Sequence, residues 1–251
     1  MNYLSLNSIK KIFGKLEVIK SVTLDVHERE FLVVLGPSGC GKSTLLRVIA
    51  GLEDPTSGFA SLDGSLISGT GAERGMVFQK YTSFPWLTVR ENVEFGLEVR
   101  KTPDREMRQT VDTMLERVGL WDFQDVYPST LSGGMQQRLA LARTLAVNPR
   151  VLLLDEPFGA LDAQTRREMQ LLLLDIWERD KPTTIFVTHD IEEAIFLGQR
   201  LILSGPRPFS IEYERQIPFA YPRALEIKTS SEFIMLEDEI TVKLRMLVRG
   251  K

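Results

Sequence analysis

In the nine consecutive residues Gly36, Pro37, Ser38, Gly39, Cys40, Gly41, Lys42, Ser43 and Thr44, the first eight match the spacing G-x-x-x-x-G-K-[ST]. Each part of that pattern has a use in holding a nucleoside triphosphate. The glycines let backbone N–H groups curl around phosphate oxygens, and the N-terminus of a following helix adds a favourable dipole. Lys42 supplies a cation for the β and γ phosphates, and Ser43 offers a hydroxyl to Mg²⁺. An ordinary glycine-rich turn is the alternative. Against it, the loop lies between an apolar strand-like run, Phe31 to Leu35, and a helix-patterned run, Lys42 to Ala50, as the motif requires.

Two more strings carry chemistry. In VLLLDEP, Asp155 and Glu156 close an apolar run that reads as a buried strand. The carboxyl ends of parallel strands open toward the ligand crevice. There Asp155 would join a Mg²⁺ shell and Glu156 would polarise the attacking water. A solvated acidic pair at a strand end is the bland alternative, and it loses ground beside the phosphate loop. In LSGGMQQR, Leu131 to Arg138, residues Ser132, Gly133 and Gly134 open a helical stretch. They could present a hydroxyl and free N–H groups to a second phosphate, or Ser132 could simply cap the helix.

These residues need elements to hold them. Strand patterns cover Tyr3 to Ile9, Ser21 to Val26 and Phe31 to Leu35, so the chain starts β-rich. Between Thr88 and Asn148 the pattern is mainly helical, with apolar spacing at Met107, Val111, Met114, Leu115 and Val118. Apolar strands resume at Val151 to Leu154 and Thr184 to Val187, separated by a helix with a stripe of Met169, Leu172, Leu173 and Ile176. Strand, helix, strand implies a parallel sheet. Beyond a Gly- and Pro-rich stretch, Gly205 to Pro222, the residues Phe233, Leu236, Ile240, Leu244 and Leu247 predict a last helix packed on the body.

Composition narrows the classes. The 251 residues carry 31 Lys and Arg against 34 Asp and Glu, a net charge of −3, so no global basic field favours nucleic acid. Cys40 is the one cysteine, which excludes an intrachain disulfide and a zinc cluster. No apolar run approaches the roughly 18 residues of a membrane span, and the N-terminus lacks the apolar core of a signal peptide. Near a helix N-terminus the Cys40 thiolate is favoured, so the thiol is expected to react with thiol reagents unless ATP covers it.

With LSGGMQQR beside the phosphate loop, residues 1 to about 220 resemble the ATP-binding subunits of ABC transporters. The resemblance implies an α/β fold of the P-loop NTPase (ABC ATPase) type, with a parallel-sheet core, an N-terminal antiparallel β subdomain and a helical insertion. The implied division is an ATPase core with its β subdomain at 1–87 and 149–222, a helical subdomain at 88–148 carrying LSGGM, and a helical tail at 223–251. ATP and Mg²⁺ are the implied cofactors. Gly36 to Thr44 would bind ATP, with Phe13 stacking on adenine unless it is a core phenylalanine. Lys42, Gln79, Glu156 and His189 would serve hydrolysis, and Ser43, Gln79 and Asp155 the metal. Ser132, Gly133, Gly134 and Asp162 would act in trans on nucleotide held by a second copy in a head-to-tail homodimer. Met135 stands where the family more often has Gln, just beyond the residues that make the phosphate contacts.

Partners follow from the same resemblance. The string FPWLTVRENV, LSGGMQQRLALARTLAVNP and the prolines of the tail are most similar to the nitrate, sulfonate and taurine importer branch. Two transmembrane permease subunits would dock near Gln79, Tyr81, Phe84 and Trp86, although Phe84 and Trp86 could instead fill space beneath the helices. A separate solute-binding protein is implied and nucleic acid is not. The implied location is peripheral, on the cytoplasmic face of the cell (inner) membrane. The chain after Gly205 is short for the regulatory β-domain of some sugar importers. The competing class is a soluble ABC ATPase of DNA maintenance or translation, which would call for coiled coils, zinc modules or a second ATPase unit.

Overall fold

The strands β1 (Leu4–Phe13) and β2 (Leu16–Val26) form an antiparallel hairpin whose tip pairs Phe13 with Leu16. The computed structural model describes residues 3–80 and 82–249. The chain divides into two compact units, residues 1–71 with 174–251, and residues 72–173.

In the first unit, β4 (Ser57–Leu62) and β5 (Ser65–Leu66) extend the hairpin into an antiparallel sheet of order β2-β1-β4-β5. The hairpin is longer than the apolar alternation predicts. Lys10, Lys11, Lys15, Glu17 and Lys20 lie on its solvent-facing stretch, where register comes from the turn rather than from burial. A second set of strands carries the chemistry: β3 (Phe31–Leu35) runs parallel to β8 (Thr183–Thr188) and to β9 (Arg200–Ser204). All five residues of β3 are buried, which is why its sequence is apolar without alternation. The antiparallel β10 (Ile211–Gln216) edges this sheet. It lies inside the Gly- and Pro-rich stretch, where its alternation of charged residues hid it.

Helix α1 (Lys42–Ala50) follows β3 through the glycine-rich loop and buries Leu45, Leu46 and Ile49. The helices α6 (Ile191–Leu197) and α7 (Ser231–Arg249) pack together, with Phe233, Leu236 and Ile240 of α7 buried as the stripe predicts. Phe31 meets Trp177 edge to face at 5.6 Å, and Trp177 Nε1 donates to the Pro182 carbonyl at 3.0 Å. Arg200 Nε donates to Glu30 at 2.5 Å, and its Nη2 to the Asp25 carbonyl at 2.6 Å. This largely buried cation therefore ties β9 to the entry of β3 and to β2. Removing one partner of such a pair leaves a desolvated charge.

The second unit pairs β6 (Arg74–Val77) with β7 (Val151–Asp155) in parallel, Val77 opposite Leu154. Three helices fill the interval: α2 (Val89–Val99), α3 (Asp104–Val118) and α4 (Gly133–Ala146). Thr88 and Glu91 form a reciprocal capping box at the start of α2, satisfying two helix-end donors. Helix α5 (Ala163–Asp180) starts in this unit and ends in the first. Among the described residues, no helix is long and apolar enough to cross a membrane.

Candidate active site

In the first unit the loop Gly36–Gly41 leaves β3 and enters α1. Gly41 has φ 124, and a Cβ there would lie 2.8 Å from the Val18 carbonyl and 2.9 Å from Phe209 Cβ. Only glycine brings the backbone that close to β2. No side chain caps α1 at Gly41, and the N-terminus of a helix favours an anionic ligand. Lys42 is 3% exposed, and its Nζ donates to the Gly36 carbonyl at 2.7 Å and the Pro37 carbonyl at 3.0 Å. The cation is thus fixed within the loop that it follows. Cys40 is 1% exposed, so its thiol is covered in this conformation, a burial that its place in a glycine-rich loop did not foretell. Packing denies reagents access to it in this conformation.

His189 is exposed just past β8, on a backbone held from both sides. Thr188 Oγ1 donates to Glu193 at 2.7 Å and accepts from Asp190 N at 3.0 Å, and Asp190 caps α6 by accepting from Glu193 N at 3.0 Å. Sequence reading missed this three-residue frame, whose signal was the Asp-x-x-Glu spacing of a helix start. Phe13 sits at the hairpin tip, 44% exposed, with Lys11 Nζ 4.7 Å from its ring centroid. That exposure sets aside the core reading of Phe13 and leaves its face open to stacking.

In the second unit, Gln79, Asp155 and Glu156 emerge at the same, carboxyl end of the parallel pair β6 and β7. Asp155 is buried as the last residue of β7, and Gln79 is exposed two residues past β6. Glu156 adopts φ 44, the left-handed region, and its carbonyl accepts from Gly159 N at 3.2 Å. A non-glycine residue held there costs on the order of 1–3 kcal/mol, and such strain concentrates at functional sites. Asp155 is buried and Glu156 half-buried, so the two carboxylates have different surroundings.

Ser132 and Asp162 each cap a helix. Ser132 Oγ accepts from Met135 N at 3.3 Å, so the capping alternative is real, and the exposed hydroxyl keeps its own proton to donate. Asp162 accepts from Thr165 Oγ1 at 2.7 Å, Thr165 N at 3.0 Å and Gln164 N at 3.1 Å. The Thr165 hydroxyl, then its N–H, hold the Asp162 carboxyl below the usual carboxylate range. Thr165 also meets the other string, because a Cβ at Gly134 would lie 2.4 Å from Thr165 Cγ2. Ser132, Gly133, Gly134 and Asp162 are therefore parts of one packed corner.

The aromatic stretch after Gln79 is built on α2 and α4. Phe84 lies 4.6 Å from Phe95 and 5.5 Å from Trp86 between ring centroids, and the Arg143 guanidinium sits 4.8 Å from its centre. Phe84 is half-buried and does fill space against the helices, whereas Trp86 is 69% exposed. Buried Asn92 and Arg143, which sequence reading missed, secure the loop: Asn92 bonds Phe84, Leu87 and Thr88, and Arg143 Nη1 donates to the Thr82 carbonyl at 2.8 Å. Tyr81 lies outside the described residues.

A glycine loop closed by a buried lysine, in the first unit, and a parallel strand pair that ends in two carboxylates, in the second, are the parts of a P-loop nucleoside triphosphatase. A family profile described as "ABC transporter" matches residues 19–159, more than half of the chain. The nitrate import ATP-binding protein of Synechocystis sp. is 45% identical over 97% of this chain and 95% of its own length. The taurine import ATP-binding protein of Roseobacter denitrificans is 50% identical over 88% of this chain and 84% of its own. A dimeric ATP-binding cassette solved in a post-hydrolysis state with ADP and Pi superposes with a TM-score of 0.76 at 34% identity, covering 86% of this chain and all of the other. The chain belongs to the ABC transporter family, as one of its ATP-hydrolysing cassettes.

Proposed function

We propose that this chain is the ATPase subunit of an importer for a small solute, an anion such as nitrate, a sulfonate or taurine. It works as a homodimer under two transmembrane permease subunits, with selectivity in a separate solute-binding protein. The observation that carries the reading is the buried Lys42 cation inside its glycine loop, joined to the relatives' import roles. The proposed division is a core at 1–87 and 149–222, a helical subdomain at 88–148 and a tail at 223–251. The working location is peripheral, at the cytoplasmic face of the membrane.

In this reading Gly36 to Thr44 wrap the triphosphate, Lys42 meets the β and γ phosphates, and Phe13 stacks on adenine. Glu156 accepts the proton of the attacking water, Gln79 orients that water, and His189 contacts the γ-phosphate. Ser132, Gly133, Gly134 and Asp162 complete the site of the second copy, so catalysis waits on dimer closure. Ser43, Gln79 and Asp155 fit Mg²⁺: they are few, hard oxygen donors, one of them a buried carboxylate, and Mg²⁺ takes its other ligands from phosphate and water. When bound, the ion neutralises phosphate charge. Phe84 and Trp86, in the loop that follows Gln79, receive the permease, so a change around Gln79 is felt at the docking surface.

The test is to tag the chain in its native host, solubilise the membranes gently and identify what co-purifies. A multispanning membrane protein is the expected partner. Recovery with ribosomes or DNA factors alone would leave the ATPase standing and overturn the transport role.

A further inference from the structure

The six residues between β9 and β10, Gly205 to Ser210, run beside the phosphate loop and carry one guanidinium to it. Arg207 Nε donates to the Gly39 carbonyl at 2.9 Å, and Arg207 Nη2 to the same oxygen at 2.7 Å. The segment that presents this fork is itself anchored. Phe209 is fully buried, its N–H donates to the Val18 carbonyl at 2.8 Å, and Lys20 N donates to the Phe209 carbonyl at 3.1 Å. On its other side β9 is hydrogen-bonded to β3, the strand that feeds the loop. Arg207 is therefore held between two strands that flank the loop.

The peptide that Arg207 grips follows an exposed glycine. Gly39 has φ 74 and is exposed, a backbone with glycine freedom on both sides of Cys40. A trans peptide is planar, so fixing the Gly39 oxygen fixes the Cys40 N–H on its opposite edge. That N–H points into the loop, toward the Pro37 carbonyl at 3.4 Å, the same oxygen that Lys42 Nζ meets at 3.0 Å. A contact so long is easily exchanged for a phosphate oxygen.

We infer that Arg207 is a positioning residue for nucleotide binding, which clamps the Gly39–Cys40 peptide so that the Cys40 N–H faces the phosphates before ATP arrives. This inference rests on the reading of Gly36 to Thr44 as the ATP loop. Its consequence is specific: the clamp acts on the shape of the unliganded loop, so its loss weakens ATP binding and leaves the chemical step alone. A lysine keeps the charge but not the two-pronged fork, and recovers part of the effect.

The buried Cys40 thiol is a built-in reporter, because a maleimide reaches it only when the loop opens. Three purified chains would be compared: wild type, Arg207→Ala and Arg207→Lys. Expected for Arg207→Ala are a KM for ATP raised about 3- to 10-fold, the range of one partly exposed charge-assisted hydrogen bond, and kcat within about twofold. Cys40 labelling without nucleotide should be several-fold faster, with Arg207→Lys between the two in both readouts. Unchanged KM and labelling in Arg207→Ala, or a fall in kcat at unchanged KM, overturns the clamp. If ATP fails to protect Cys40 in the wild type and Lys42→Ala binds nucleotide normally, the loop assignment itself falls, and the clamp with it.

Discussion

Asn92 and Phe84 exchange two hydrogen bonds: Phe84 N donates to Asn92 Oδ1 at 2.7 Å, and Asn92 Nδ2 donates back to the Phe84 carbonyl at 3.1 Å. The same Nδ2 reaches the Leu87 carbonyl at 3.0 Å and the Thr88 carbonyl at 2.8 Å. One fully buried amide on α2 thus satisfies the backbone of the loop that carries Phe84 and Trp86. Asn92→Ala strips those bonds together and takes from the half-buried Phe84 N–H and Leu87 carbonyl the partner they have here, for a loss of about 2–4 kcal/mol. Urea denaturation measures it. A midpoint within error of wild type would mean that the loop holds itself.

Trp86 should behave oppositely. At 69% exposed it contributes little to the fold, so Trp86→Ala should change stability by no more than about 0.5 kcal/mol. If the aromatic anchors a permease, the variant should keep ATP binding while losing most of its recovery with washed membranes. Full membrane recovery would move the docking surface elsewhere.

The two substitutions mark where sequence reading reached and where it stopped. The loop Gly36–Thr44, β3 and the Asp155–Glu156 strand end were legible because each couples a local pattern to a local conformation: glycine spacing, an unbroken apolar run, a strand closed by carboxylates. Asn92, Arg143 and Arg207 were not, since each acts on backbone 4 or more residues away, up to the 168 that separate Arg207 from Gly39. Nothing in their neighbours' types encodes such a pairing. Phe13 is intermediate. Its hairpin was foreseen only in part, and its exposure depends on the register of β1 with β2.

Asp162 gives a prediction in pH. The Thr165 hydroxyl and N–H favour its charged form, so the folded-state pKa lies below the ordinary 3.8. A depressed carboxyl contributes stability that is complete above the unfolded value and is lost as pH falls through the folded one. The urea midpoints of wild type and Asp162→Ala should therefore differ near neutral pH and converge in acid, below pH 3.8. A Thr165→Val variant should raise the Asp162 titration midpoint observed by carboxyl-carbon NMR. A gap between the midpoints that persists unchanged into acid would show that the carboxylate charge has no part in the cap.

Glu156 offers the sharpest test of the chemistry. Its backbone is left-handed, φ 44, and it is less buried than Asp155, so the two carboxylates are set apart for different work. Glu156→Gln keeps the shape and the hydrogen-bonding length and removes the basic oxygen. Hydrolysis should fall by about 10²- to 10⁴-fold, the usual worth of a general base, while ATP binding persists. If closure needs ATP and reopening needs hydrolysis, as the proposed homodimer requires, the variant should accumulate as an ATP-bound dimer, doubling the mass seen by light scattering. An additional Ser132→Ala change should reduce that dimer if Ser132 meets the nucleotide of the opposite copy, and leave it intact if the hydroxyl does no more than cap α4. A Glu156→Gln chain that stays monomeric in excess Mg-ATP would refute the composite site.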